Sequence, residues 1–482
     1  MNDLIHRALD TADRLGARYA DVRVVERRNE GMTVKNGALE AATTNVSAGF
    51  GVRVLVNGAW GFSSSSLLEP EEADRIAGEA VEIARASAVA QKEPIELDDT
   101  SPVTATYRTP YQEDPFAVSL DDKLRILMDA DAAMARVAGV AIREGSVTAG
   151  RETKTFASTS GARIEQEIVE TGGGIEATAV NDSEMQQRSY PNSFGGQFVT
   201  GGFEAVRALD LATHAQETAE LAVALLDAPQ CPSGEMDVIL DATQVALQIH
   251  ESCGHPTELD RVFGTEASFA GTSFLTTDKL GKLRYGSELV SIDADATAPG
   301  GLGTFGYDDE GVPAQNVPLI ENGLLVGYLT SRETAPRIER RSMGSARAWT
   351  WSHIPLIRMT NVNLRPGRAG SLDDLIADTR DGIFMSINKS WSIDDRRLNF
   401  QFGDQAGWII KNGRRTKLVK NPTYTGITPR FWGSCDAICG PGEWTLWGLP
   451  NCGKGEPVQT GHVGHGAAPA RFRGVQVGVG RW

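Results

Sequence analysis

His250-Glu251-Ser252-Cys253-Gly254-His255 puts two imidazoles and a carboxylate within six residues. Imidazole nitrogens ligate zinc, and a neighbouring glutamate can take a proton from water, so these residue types suit metal-assisted hydrolysis. The spacing is HExxxH, one residue longer than the HExxH in which two histidines share one helical face. On a regular helix five residues advance about 500°, which leaves the rings about 140° apart and unable to meet at one ion. A shared ion therefore requires a distorted helix. A left-handed Gly254, with Pro256 close behind, is expected to stop the helix and swing His255 back toward His250. The alternative is a buried helix that carries two incidental histidines.

A catalytic zinc needs a third protein ligand. Cys452, far downstream in the glycine-rich stretch Pro450-Asn451-Cys452-Gly453-Lys454-Gly455, is one candidate, expected on a turn that aims its thiolate. Glu258 and Asp260 offer carboxylates nearer by, and His353, His462 and His465 offer further imidazoles.

The motif needs a framework to hold it. Asp241-Ala242-Thr243-Gln244 reads as an N-cap with a reciprocal Gln at the third position, so a helix is expected from about Ala242 to Cys253. Its core face would be Ala242, Val245, Ala246, Ile249 and Cys253. A short strand, Met236 to Leu240, feeds it. Upstream, Leu4, Ile5, Ala8, Leu9, Ala12 and Leu15 share one helical face, and further helices are expected over 71–88, 120–137 and 204–226. Asn36-Gly37 and Asn57-Gly58 punctuate strand-like runs and favour type I′ hairpins, as do Asn322-Gly323 and Asn412-Gly413 later. The fold class is α+β: an N-terminal α/β domain, 1–229, with an antiparallel sheet flanked by helices, and a β-rich, barrel-like or curved-sheet domain, 235–482, that carries the motif. Pro229-Gln230-Cys231-Pro232-Ser233-Gly234 is the expected linker.

Composition narrows the function. With 47 basic and 63 acidic residues the net charge is −16, a field that works against phosphate binding and disfavours direct nucleic-acid contact. The first residues form no apolar signal core and no run approaches the ~20 apolar residues of a membrane span, so a cytoplasmic protein with no membrane partner is expected. Five cysteines in 482 residues are too few for a disulfide framework and are expected to be reduced. Gly301-Leu302-Gly303-Thr304-Phe305-Gly306 matches GxGxxG, but Tyr307-Asp308-Asp309-Glu310-Gly311 is a poor helix start, which excludes a dinucleotide fold. Cys435 and Cys439 lack CxxC spacing and a partner pair, so buried free thiols are the reading. Arg358, Asn361, His462 and His465 are candidate substrate contacts, with strand-surface pairing and a structural loop as the alternatives.

Several stretches in one order, among them Tyr19-Ala20-Asp21-Val22-Arg23, Gly49-Phe50-Gly51-Val52-Arg53-Val54, HExxxH, Tyr307 to Pro313, Arg358-Met359-Thr360-Asn361 and Cys452-Gly453-Lys454-Gly455, resemble the TldD/PmbA family. This is a zinc metallopeptidase family also named for modulation of DNA gyrase, and the likeness is to its metal-bearing TldD-like members. The resemblance implies zinc held by His250, His255 and Cys452, with Glu251 as general base. It implies a peptide substrate, unfolded or short, cut inside an enclosed cavity formed with a metal-free PmbA/TldE-like subunit or a second copy. It also implies the processing of modified peptide antibiotics or of an unstable antitoxin. Two departures from the family pattern stand out: the thiol of Cys253 within the motif, and Glu258 with Asp260 where a glycine-rich continuation is usual. A thiolate ligand adds negative charge, so modest turnover is expected. An assembly or regulatory protein with a closed, structural zinc site, Glu258 as fourth ligand, is the alternative from another class. A zinc amidase acting on small molecules would share the metal chemistry.

Overall fold

The computed structural model describes residues 1–478. Asn36 and Gly37 take φ of 50° and 78°, and Asn57 and Gly58 take 51° and 77°, the paired left-handed conformation of a two-residue type I′ turn. These turns join Tyr19–Lys35, Ala38–Val56 and Ala59–Ser65 into an antiparallel ribbon. Tyr19–Lys35 also pairs with Val140–Ser158, which pairs in turn with Arg163–Val180. Three shorter strands, Thr104–Arg108, Met185–Tyr190 and Gln197–Thr200, complete an eight-stranded sheet on the Arg163–Val180 strand.

The long strands outrun any one helix, so two helix pairs cover the sheet. Asn2–Arg14 and Pro70–Ala90 bury Leu4, Ile5, Ala8, Ile76, Ala80 and Val81 against Val22, Val52 and Val54. Leu120–Met134 and Leu211–Asp227 bury Leu127, Ala130, Met134, Ala215 and Ala219 against Val34, Val147 and Ile175. Each helix offers the sheet one apolar stripe. Ser119 caps the third helix by accepting from the Asp122 N–H at 3.1 Å.

All later strands belong to other sheets. Gly234–Leu240 lies between Asp381–Ile393, which it pairs in parallel, and Ala470–Val477, which it pairs antiparallel. Ala470–Val477 continues to Thr423–Ile427, then to Asn399–Lys411, which returns to Asp381–Ile393 and closes five strands into a barrel. Phe400, Phe402, Tyr424, Phe431 and Phe472 stack and edge against one another in its core. Asn322–Gly323 and Asn412–Gly413 again adopt paired positive φ at hairpin turns. The α+β class and the barrel-like C-terminal part are thus both observed. A helix, Ala242–Ile249, leaves the barrel strand Gly234–Leu240 and is buried along its whole length, packed against Asp381–Ile393 on one side and the strand Gln459–Ala467 on another. Among the described residues no helix is long and apolar enough to cross a membrane.

Candidate metal centre

Asp241 fixes the start of this helix. Its Oδ1 accepts from the Gln244 N–H at 2.8 Å and its Oδ2 from the Ile387 N–H at 3.0 Å, tying the cap to the neighbouring barrel strand. Gln244 does not reciprocate as a capping box would. Its side chain donates instead to the Tyr424 hydroxyl at 2.8 Å.

The α-helix runs only to Ile249. His250–Gly254 forms a π turn and His255–Thr257 a 3₁₀ turn. The His255 N–H donates to the His250 carbonyl, an i→i+5 bond, so residues five apart come to lie over one another. The two imidazole centroids are consequently 4.8 Å apart, at 83°. This corrects the expected left-handed kink: Gly254 has φ −56° and ψ −66°, within the right-handed region. Glycine is needed there for a different reason. A Cβ at 254 would overlap Met359 Sδ, so the missing side chain lets the Met359 thioether pack onto the turn.

Cys452 comes from the strand Thr445–Lys454, where it faces Gly461 of Gln459–Ala467 across a hairpin. It therefore lies on a strand rather than a glycine-rich turn. Its Sγ is 3.7 Å from His255 Nε2, and one donor atom from each of His250, His255 and Cys452 lies within 4.8 Å of the others, all three buried.

Hydrogen bonds behind the rings fix which nitrogen faces inward. His465 Nδ1 donates to the Val362 carbonyl at 3.2 Å, which leaves its Nε2 to accept from His250 Nδ1 at 2.8 Å. The Nε2 lone pair of His250 is then free. His255 Nδ1 lies 3.0 Å from Glu258 Oε2, and this carboxylate likewise holds the proton on Nδ1 and the lone pair on Nε2. Burial pushes His255 down to about 3, drives His250 well below the ordinary imidazole range and pushes His465 down to about 4. All three rings are neutral at physiological pH. Burial also raises the Cys452 thiol to about 11, against the pull of Arg358, so a cation bound here must displace that proton. Two neutral imidazoles and one thiol suit a borderline-soft divalent ion such as zinc, and three donors leave a coordination position open.

Glu251 follows His250 and is 5% exposed. Burial raises its pKa, and Arg397, whose Nη1 is 2.5 Å from Glu251 Oε2, opposes that rise. Arg397 is held at φ +62° in the turn between the barrel strands Asp381–Ile393 and Asn399–Lys411, and its Nε has no partner. Glu251, Arg397, both motif histidines and Cys452 line a cleft of about 360 Å³ whose walls also include Trp391 and, from the N-terminal half, Phe194. Sequence reasoning missed Arg397. Nothing in the charged run Asp394-Asp395-Arg396-Arg397 distinguishes it from a solvated turn.

The comparisons with known proteins bear on this arrangement. Residues 20–84, 113–226 and 233–478 match, in order, the family descriptions PmbA/TldA metallopeptidase domain 1, central domain and C-terminal domain. A metalloprotease from Methanocaldococcus jannaschii is 30% identical over 95% of this chain and 96% of its own length. The chain belongs to the PmbA/TldD metallopeptidase family. A zinc metalloprotease TldD homolog from Saccharolobus solfataricus is 30% identical over 41% of this chain and 42% of its own. Two solved structures share the PmbA/TldD fold. One, from Thermotoga maritima and described as a candidate modulator of a DNA gyrase, has a TM-score of 0.78 at 19% identity and covers 99% of this chain and 100% of that one. The other, TldE from Thermococcus kodakarensis, has a TM-score of 0.75 at 17% identity, with the same coverage.

The remaining polar residues singled out in the sequence take other places in this PmbA/TldD chain. Glu258 does not join the donor group, because its Oε2 faces His255 Nδ1, Arg261 and Lys454. Burial opposes its charge, yet Lys454 and His255 hold it well below the usual carboxylate range. Asp260 accepts from the buried Lys454 ammonium at 2.8 Å. His353 bonds Thr350 Oγ1 at 2.9 Å, away from the group. The substrate contacts read from the sequence do not face the cleft. His465 is 2% exposed behind His250. Asn361 is fully buried, bonded to the Asp295 carbonyl, Thr304 Oγ1 and the Gly303 N–H. Arg358 donates to the Cys452 and Gln459 carbonyls, and His462 pairs with Glu170 at 2.7 Å, both on the far side of the hairpin. The polarity of these side chains reflects bonds made inside the protein, which sequence alone reads as accessible chemistry.

Proposed function

We propose that this chain is a zinc-dependent peptidase in which His250, His255 and Cys452 hold the ion and Glu251 is the general base. The observation that carries the reading is the convergence of three donor atoms within 4.8 Å, two of them imidazole lone pairs turned inward by Glu258 and His465. Zinc is favoured by the N₂S donor set and by the zinc metalloprotease among the relatives. When bound, the ion supplies electrophilic polarisation of the scissile carbonyl and of the attacking water.

The chain's own residues do the rest. Glu251 takes the proton from water and hands it to the leaving amine. Arg397 opposes the rise that burial imposes on that carboxylate and holds it in place through its Nη1. Glu258 and His465 hold the ligand rings in one tautomer through the cycle. A cleft of about 360 Å³ lined by the donors suits a stretch of extended peptide rather than a folded domain. The likeness to TldE supports pairing with a TldE-like subunit, which would close the cleft into a cavity, or with a second copy. Five unpaired cysteines suit a reducing, cytoplasmic setting.

The test is Glu251→Gln in the zinc-loaded chain, alone and with a TldE-like partner. Cleavage of an unstructured peptide, read by mass spectrometry, should be lost while zinc content by metal analysis is retained. Cleavage at the wild-type rate would remove Glu251 from the mechanism. Full zinc occupancy in Cys452→Ser would remove the thiolate.

A further inference from the structure

Cys452 is the one donor that the motif turn does not carry, so its position depends on the register of a hairpin. That register is interrupted just before it. Leu449 pairs with Val463 and Cys452 with Gly461, so three steps on one strand run against two on the other, and a bulge falls at Pro450 and Asn451. Pairing upstream of the bulge therefore does not settle where the thiol lies.

Lys454 supplies a mark beyond the bulge. Side chains two apart on a strand share a face, so Lys454 points to the same side as Cys452. It is fully buried. Its Nζ donates to Asp260 Oδ1 and to the Ile357 carbonyl, each at 2.8 Å, and pairs with Glu258 Oε2 at 3.4 Å. An ammonium has three N–H donors, and all three are taken. Glu258 and Asp260 follow directly on the motif turn, and the same Glu258 oxygen holds His255 Nδ1 at 3.0 Å. The lysine thus reaches from the strand of one donor to the carboxylate that orients another. A slip of one residue would turn Cys452 and Lys454 to the opposite face, and a slip of two would carry the buried ammonium away from both carboxylates.

Other contacts hold the hairpin elsewhere. At its turn the Gly455 N–H donates to Glu266 Oε2 at 3.2 Å. Its other face borders a cavity of about 90 Å³ whose walls include Glu152 and Glu170. There Arg347 donates to the Met359 and His462 carbonyls, and the buried Arg358 to the Cys452 and Gln459 carbonyls. Among the described residues neither arginine bonds the motif turn, so they fasten the hairpin to the segment 347–359 instead.

We propose that Lys454 is the positioning residue of Cys452: its ammonium, seated on Glu258 and Asp260, sets the register that lays the thiol beside His250 and His255. The inference rests on the reading of Cys452 as a metal ligand and adds to it what brings the sulfur within reach.

Cobalt(II) in place of zinc in the full chain tests it, because a thiolate on cobalt gives a charge-transfer band in the near ultraviolet, while the visible ligand-field bands report that the ion is held at all. The wild type should show both, and Cys452→Ser should lose the first. In Lys454→Met the charge-transfer band should fall to the level of Cys452→Ser while the visible bands persist at saturating cobalt, and zinc affinity in a chelator competition should fall by about 10–100-fold. If that variant does not fold, Lys454→Met with Asp260→Asn removes the stranded charge as well and carries the same expectation. Glu266→Gln, which loosens the hairpin turn without touching Lys454, should keep the band. A wild type without the band, or a band that survives in Cys452→Ser, overturns the ligand reading and this inference with it. A band lost in Cys452→Ser but kept in the folded lysine variant overturns the inference alone, as does a band that Glu266→Gln removes equally.

Discussion

The cleft beside the motif helix and the cavity behind the Cys452 hairpin are separated by one pair of strands, yet they treat charge in opposite ways. In the cleft every imidazole is neutral, and each has its outer nitrogen bonded so that the inner lone pair is exposed. In the cavity two guanidinium groups keep their charge and leave one N–H each unsatisfied. The first turns lone pairs toward one point, and the second seats positive charge on backbone carbonyls. Buried polarity on its own does not reveal which of these arrangements a site has; the direction of the satisfied hydrogen bonds does.

The sharpest way to break the comparison is at Glu251. Glu251→Gln should lower peptide cleavage by about 10²–10⁴-fold, the usual worth of general acid–base catalysis, with zinc content unchanged in metal analysis. Next in size is the acid limb of stability on the cavity side. Burial pushes Glu152 up, but Lys154 and Arg27 hold it down to about 2. A carboxylate depressed in the folded state stabilises the protein above its unfolded pKa, near 4.5, and that contribution is lost as pH falls toward 2. Its size is about 3 kcal/mol, so Glu152→Gln should flatten chemical denaturation midpoints across that window, and an unchanged acid limb would contradict the assignment.

Glu258→Gln tests the orientation of His255. A neutral amide still accepts from Nδ1 but no longer strengthens the ring as a ligand, and zinc affinity in a chelator competition should fall by about 10–100-fold. The same change on the cavity side of the hairpin, Glu170→Gln, should leave zinc affinity untouched. Smallest is Gly254→Ala, whose methyl must displace Met359. It should cost about 1–3 kcal/mol in denaturant unfolding, and Met359→Ala in the same chain should return part of that loss. No recovery in the double variant would mean that the glycine serves backbone conformation instead.

Much of the framework was legible because its signals are local. The four Asn-Gly pairs specify their turns by φ alone, and the Asp241 cap needs only a neighbour three residues on. Apolar stripes placed the helices that cover the first sheet. The site was legible in part. Its residue types and the wrong length of HExxxH demanded a distortion, but the π turn that supplies it packs Gly254 against Met359, a contact about a hundred residues away in sequence that the motif does not announce. Arg397 carried no local sign because its role comes from a barrel turn folding over Glu251. Asn361 and His465 are candidate substrate contacts by residue type, whereas in the fold both are consumed by internal bonds. Sequence shows that a side chain can hydrogen bond but not whether its capacity is already spent.

Of the three donors, Cys452 alone lies outside the motif segment, on the edge hairpin that also floors the cavity of arginines. An ion clasped by all three would act as a rivet through the molecule, fastening that hairpin to the end of the barrel-borne helix. Stripping the ion should therefore free the hairpin first, and amide exchange along Thr445–Lys454 should quicken well before the barrel itself loosens.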